Sequence, residues 1–254
     1  MVPMDPLSSR RAVLLATSVV AGAGFFTGCR SGEAAQASPS KTASPASSAA
    51  EEGGEEPDVT AVEDLMREHG VIRRALVVYR EAASRLRTKA SAVPVDGLRK
   101  TAMLLRAFAE DYHEKQLEEA HIFPALKRMG GGLARDVDTL VAQHQRGREI
   151  TDYLIGATAA AIGPARAEPI ARTLDAFTRM YEEHAAIEDT IVFPSWKKTM
   201  PAKKLDDLGE LFEEIEHKTF GKDGFDDALE KIDAIERAFG LDLALFTAPP
   251  PPKA

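Results

Sequence analysis

The chain of 254 residues carries 40 acidic and 32 basic side chains, a net charge of −8, and a single cysteine. A surface this acidic argues against nucleic acid, whose binding needs clustered lysine and arginine to displace counterions. One thiol excludes an internal disulfide and a multi-thiolate metal site.

In chain order, Arg10 and Arg11 stand before an apolar run from Ala12 to Phe26. At about 1.5 Å of helical rise per residue the run is too short to span a bilayer comfortably, so it reads as an export signal. The paired arginines resemble a twin-arginine signal, which exports proteins already folded around a cofactor. The run closes on Phe26-Thr27-Gly28-Cys29, which resembles a bacterial lipobox with Cys29 as the lipidated residue, although Phe26 is atypical for its first position. Cleavage after Ala35-Gln36-Ala37 is the competing reading. The lipoprotein reading is preferred because Cys29 sits at the end of the apolar run. It implies an exported protein, periplasmic or at the cell envelope, that touches the membrane only through a lipid anchor.

Residues 30–57 are rich in Ala, Ser, Pro, Gly and Glu and hold almost nothing large and apolar. Such a segment cannot bury enough surface to offset its ordering entropy, so it reads as a flexible tether. The expected organisation is a signal over 1–29, a tether over 30–57, a helical bundle over 58–200 and a helical extension over 201–254.

Thr60-Ala61-Val62-Glu63 fits a capping box at a helix start. Val62, Leu65, Met66, His69, Ile72 and Leu76 then recur at helical spacing, which puts His69 on an apolar face. A second helix is predicted from Val95 through Leu98, Leu105, Phe108, Tyr112 and His113 to the glycines at 130–132. A third runs from Leu133 to about Ala161 with His144 on its stripe. A fourth runs from about Glu168 to Phe193 with Tyr181, His184 and Glu188. Pro124 and Pro194 each remove an amide and are expected to kink or end their helices. Segments near 201–218 and 223–239 are also amphipathic. No stretch alternates as a strand, so the fold class is all-α: an up-down four-helix bundle with a helical C-terminal extension.

One pattern occurs twice. His69, His113 and Glu118 precede Phe123-Pro124, and His144, His184 and Glu188 precede Phe193-Pro194. In both copies the glutamate lies five residues before the phenylalanine and a second acid follows it, Glu119 or Asp189. Imidazole and carboxylate on facing helices suit a pair of iron or manganese ions. Four buried imidazoles and two carboxylates with no shared partner would carry a heavy desolvation cost.

The segment from Asp111 to Glu119 with Phe123-Pro124, Ala142-Gln143-His144, and the segment from His184 to Glu188 with Phe193-Pro194 resemble the hemerythrin-like, HHE cation-binding family. The resemblance covers about residues 60–200, and the closer likeness is to exported, signal-bearing bacterial members. Glu216-His217 and Phe220-Gly221 with Asp223-Gly224-Phe225 resemble the C-terminal extension of those members. The resemblance implies a four-helix bundle with two non-haem iron ions, ahead of manganese or zinc. It matches His69, His113, His144 and His184 to histidine ligands and Glu118 and Glu188 to bridging carboxylates.

In one respect the chain departs from the family pattern. His113 and Glu118 are five apart rather than four, which turns them off a common face in an ideal α-helix. Either a π-bulge among Lys115, Gln116 and Leu117 restores the alignment, or Glu114 is a further ligand, or both. The first half is therefore where the two metal positions are expected to differ. His121 reads as a surface or supporting residue and His217 as a packing or capping one, while Tyr112 and Tyr181 are expected to fill core. The expected function is binding of a small diatomic ligand, oxygen or nitric oxide, more as a metal-binding protein than an enzyme. Two alternatives stand beside it: a di-iron oxidoreductase acting on peroxide, nitric oxide or ferrous iron, and a structural lipoprotein without metal.

Overall fold

A computed structural model describes residues 59–252. The signal, Cys29 and the tether read from 1–29 and 30–57 lie outside the described residues. Within them all regular structure is helical and no strand occurs.

Helix α1, Ala61–Lys89, opens with the capping box: Thr60 accepts from the Glu63 amide and the Glu63 carboxylate accepts from the Thr60 amide. A 3-10 turn at Ala90–Ala92 and Pro94 close it. The second bundle helix has three consecutive parts: α2 (Val95–Leu104), a π-helical stretch (Leu105–Ile122) and α3 (Phe123–Met129). Gly130 and Gly131, at φ of +73° and +71°, turn the chain directly into α4, Gly131–Ala157. These positive φ values suit glycine, which has no Cβ to clash. The fourth bundle helix begins as α5 (Pro164–Ile187), passes through a π turn (Glu188–Val192) and ends as α6 (Phe193–Lys197).

The four bundle helices join through short connections and close on one apolar core that includes Leu65, Tyr79, Leu98, Phe108, Leu174, Phe177 and Trp196. Short connections force sequential helices to run antiparallel, which gives the up-down order. Pro124 and Pro194 do not end their helices. Each sits in the first turn of the α-helical part that follows, where a missing amide is tolerated.

The extension folds as α7, Ala202–Phe220, and α8, Gly224–Phe239, which pack against α1, α2 and the π stretch. Its motif residues build the turn between them. Gly221 adopts φ +70°, and a Cβ on Gly224 would lie 2.2 Å from the Phe220 ring. The buried Glu216 carboxylate accepts from the Phe225 amide at 2.7 Å, and Asp223 caps α8 through the Asp226 amide at 2.8 Å. Arg74 ties α8 to α1 through Asp233 and Glu236. Among the described residues no helix is long and apolar enough to cross a membrane.

Candidate metal centre

The spacing problem between His113 and Glu118 is resolved by the backbone. Across Leu105–Ile122 the helix is wound with i→i+5 hydrogen bonds, so residues five apart stand one turn apart on the same face. The wide winding covers the whole segment rather than one inserted residue. Its end is set by the Phe-Pro pair. Pro124 has no amide and its ring crowds the carbonyl four residues back. The last wide bond is the Phe123 amide to the Glu118 carbonyl. The second half repeats the device, with the Phe193 amide donating to the Glu188 carbonyl.

The four imidazoles meet in the bundle interior as two pairs. Nε2 of His69 lies 3.1 Å from Nε2 of His113, and Nε2 of His144 lies 3.0 Å from Nε2 of His184. Two carboxylates join the pairs. Glu118 places Oε1 3.3 Å from His113 Nε2 and Oε2 3.3 Å from His144 Nε2. Glu188 Oε2 lies 3.0 Å from His184 Nε2 and 3.5 Å from His69 Nε2. All six side chains are buried.

Each Nδ1 faces away from the centre towards an oxygen: Asp189 for His69 at 2.7 Å, Glu68 for His113 at 2.6 Å, Glu119 for His144 at 2.9 Å and Gln143 for His184 at 2.9 Å. An ionised carboxylate or an amide oxygen only accepts, so Nδ1 carries a proton and Nε2 is the nitrogen turned to the centre. Phe123 stacks on His144 and Phe193 on His69, each with ring centroids 5.4 Å apart.

The electrostatics call for cations. Burial alone would lower His144, but the carboxylates of Glu114, Glu118 and Glu119 outweigh it and push the imidazole up to about 10. His69 and His113 are likewise raised against burial by the acids around them. Burial would raise Glu118 and Glu188, yet the neighbouring imidazoles hold both below the usual carboxylate range. None of the four oxygens of Glu118 and Glu188 receives a well-aligned hydrogen bond. Buried anions in that state need positive charge close by, and the donor set of imidazole nitrogen and carboxylate oxygen fits a divalent transition metal. The ligand atoms of His69, His113 and Glu118 lie within 4.8 Å of one another, as do those of Glu118, His144, His184 and Glu188.

A sequence profile described as the Hemerythrin HHE cation binding domain matches residues 60–196, more than half of the chain and the span that holds all six of these side chains. The chain belongs to the hemerythrin HHE cation-binding family. Uncharacterized proteins of Mycobacterium tuberculosis and Mycobacterium bovis are each 44% identical to it over 197 residues, covering 76% of this chain and 76% of theirs. No solved structure matches.

In this HHE domain Glu114 forms a third group with Glu119 and His144, whose ligand atoms also lie within 4.8 Å of one another, on the far side of the His144 ring. It lies on the Nδ1 side of His144, 3.9 Å away, and its oxygens accept from Tyr181 at 2.7 Å and Arg148 at 3.2 Å. Arg148 also donates to Glu119 at 2.6 Å, so the three groups form one polar chain to His144. The tyrosines do more than fill core: Tyr112 donates to Glu68 at 3.1 Å, and Tyr181 donates to Glu114. Gly147 makes room for Tyr181, since a Cβ there would lie 2.0 Å from the phenolic oxygen. His121 is half-buried against Phe212, and His217 lies in the last turn of α7.

Glu68 and Gln143 carry no spacing signal of their own and went unpredicted. A signal exists nonetheless, because each immediately precedes the first histidine of its half, and each holds the second histidine of that half.

Proposed function

We propose that the domain holds two iron ions, one at His69 and His113 and the other at His144 and His184, with Glu118 and Glu188 bridging them. The observation that carries this reading is that each glutamate reaches one histidine of either pair, while every Nδ1 is already engaged elsewhere. Iron bound there would supply redox chemistry and an open position for a small ligand, oxygen or nitric oxide. The chain's own part is to fix the imidazoles, keep the interior dry and, through the stacked Phe123 and Phe193, wall the centre with apolar surface. Glu114 is assigned to the support of His144 rather than to a metal. The signal-like N-terminal sequence is read as exporting the domain, with Cys29 as its lipid anchor.

An oxidoreductase reading keeps one specific support. Tyr181 donates to Glu114, whose carboxyl burial holds above its ordinary value, so a proton-holding pair lies in the interior 3.9 Å from His144. Metal analysis and an optical spectrum of the purified full chain test the first reading. About two irons per chain, with visible bands lost in His113→Ala, is the expected result. Protein that takes up no iron would leave the structural reading instead. Peroxide or nitric oxide turnover by the loaded protein would favour the enzyme.

A further inference from the structure

The four imidazoles are not equally shielded. His69, His113 and His144 are 0–1% exposed, whereas His184 is 4% exposed and forms the inner end of a 230 Å³ cavity. Asp136, Thr139, Glu183 and Ile191 are exposed and form the mouth of that cavity, with Gln143 half-buried between mouth and imidazole. Two of the mouth residues are acidic, and among the described residues that line it there is no lysine or arginine.

The hydrogen-bond partners mark the same place. Asp189, Glu68 and Glu119 hold three imidazoles by carboxylate, but His184 is held by the neutral amide oxygen of Gln143. A hydrogen bond to an ionised group is roughly twice as strong as one between neutral groups. His184 is thus the imidazole held least firmly, and the one nearest solvent. The second half thus has an asymmetry of its own, beside the long π stretch and Glu114 of the first.

We propose that this cavity is the inlet through which metal cations reach the centre. Asp136 and Glu183 draw the ion to the mouth, and the His184–Gln143 contact opens to pass it to the His144 and His184 position. This assignment rests on the metal reading above and deepens it.

The test is the rate at which the metal-stripped full chain takes up cobalt(II), followed by its visible absorption. Thr139→Trp, which narrows the mouth, should bind the same amount of cobalt severalfold more slowly. Asp136→Asn combined with Glu183→Gln should slow uptake about tenfold at low ionic strength, with the difference fading in high salt. Met103→Trp, in the groove between α2 and α8, is the control and should leave the rate unchanged. Wild-type rates in the mouth variants would overturn the inlet, and so would equal slowing in the control. A wild-type chain that binds no cobalt would remove the metal reading itself, a separate and recognisable failure.

Discussion

Glu119 of the first half lies 2.9 Å from Nδ1 of His144 in the second. The second half returns the contact, since Asp189 lies 2.7 Å from Nδ1 of His69. The phenylalanines follow the same crossing, Phe123 to His144 and Phe193 to His69. The repeated stretch from glutamate to Phe-Pro therefore has three tasks: a carboxylate into the centre, an acid behind the opposite histidine and a ring against it.

An acid behind a ligating histidine fixes its tautomer and raises its basicity, and losing it typically costs about 10–100-fold in metal affinity. Glu119→Ala should weaken binding by that order, with the loss at the His144 position. Competition against a chromophoric chelator measures it. Affinity equal to wild type would show that Glu119 does not orient His144.

Removing the metal should lower stability. The metal-stripped protein keeps the ionisable side chains of His69, His113, Glu118, His144, His184 and Glu188 in its interior, while a ligand that binds only the folded state stabilises it by about 4 kcal/mol at a thousandfold excess over its Kd. Thermal unfolding with and without chelator should show a clear drop in midpoint, recovered on adding metal back. A midpoint indifferent to chelator would show that the core tolerates its own charges.

Glu110 gives a pH dependence separate from the ligands. Burial pushes its carboxyl up to about 7, against the lowering effect of Thr151 and Arg106. Because the folded value exceeds the unfolded one, the folded state holds the proton longer. Stability from this group is therefore intact in acid and declines as pH rises from about 4 to 7. Glu110→Gln should remove that decline and gain up to roughly 3 kcal/mol at pH 8 relative to pH 4, in chemical denaturation at both values. An unchanged pH slope would place the titration elsewhere.

Gly147→Ala should force Tyr181 out of its place, because the new Cβ would meet the phenolic oxygen at 2.0 Å. Overpacking of this kind costs about 1–3 kcal/mol. Adding Tyr181→Phe removes the worst contact and should recover part of the loss. If the double variant is no more stable than Gly147→Ala alone, the collision is not the cause.

The helical class, the capping box at Thr60 and the paired histidine motifs were all legible in the sequence, because each is a local pattern with a fixed period. The length of the π stretch was not. Spacing showed that His113 and Glu118 needed extra winding, but how far it spreads depends on packing along the whole segment. The partners of the imidazoles were harder still: Glu68 meets a histidine 45 residues away, and Gln143 one 41 residues away. Tyr112 and Tyr181 looked like filler because their hydroxyl partners lie on other helices.

The crossing of contacts has a consequence for how such a domain could arise or be divided. A chain holding only residues up to Gly130 would present His69 without Asp189 or Phe193, and Glu118 without His144. Two such halves could complete each other only by pairing, each lending its acid and ring to its twin. The present chain has that partnership built into one polypeptide, and its two halves differ in charge where the contact stays within a half, at Glu68 and Gln143.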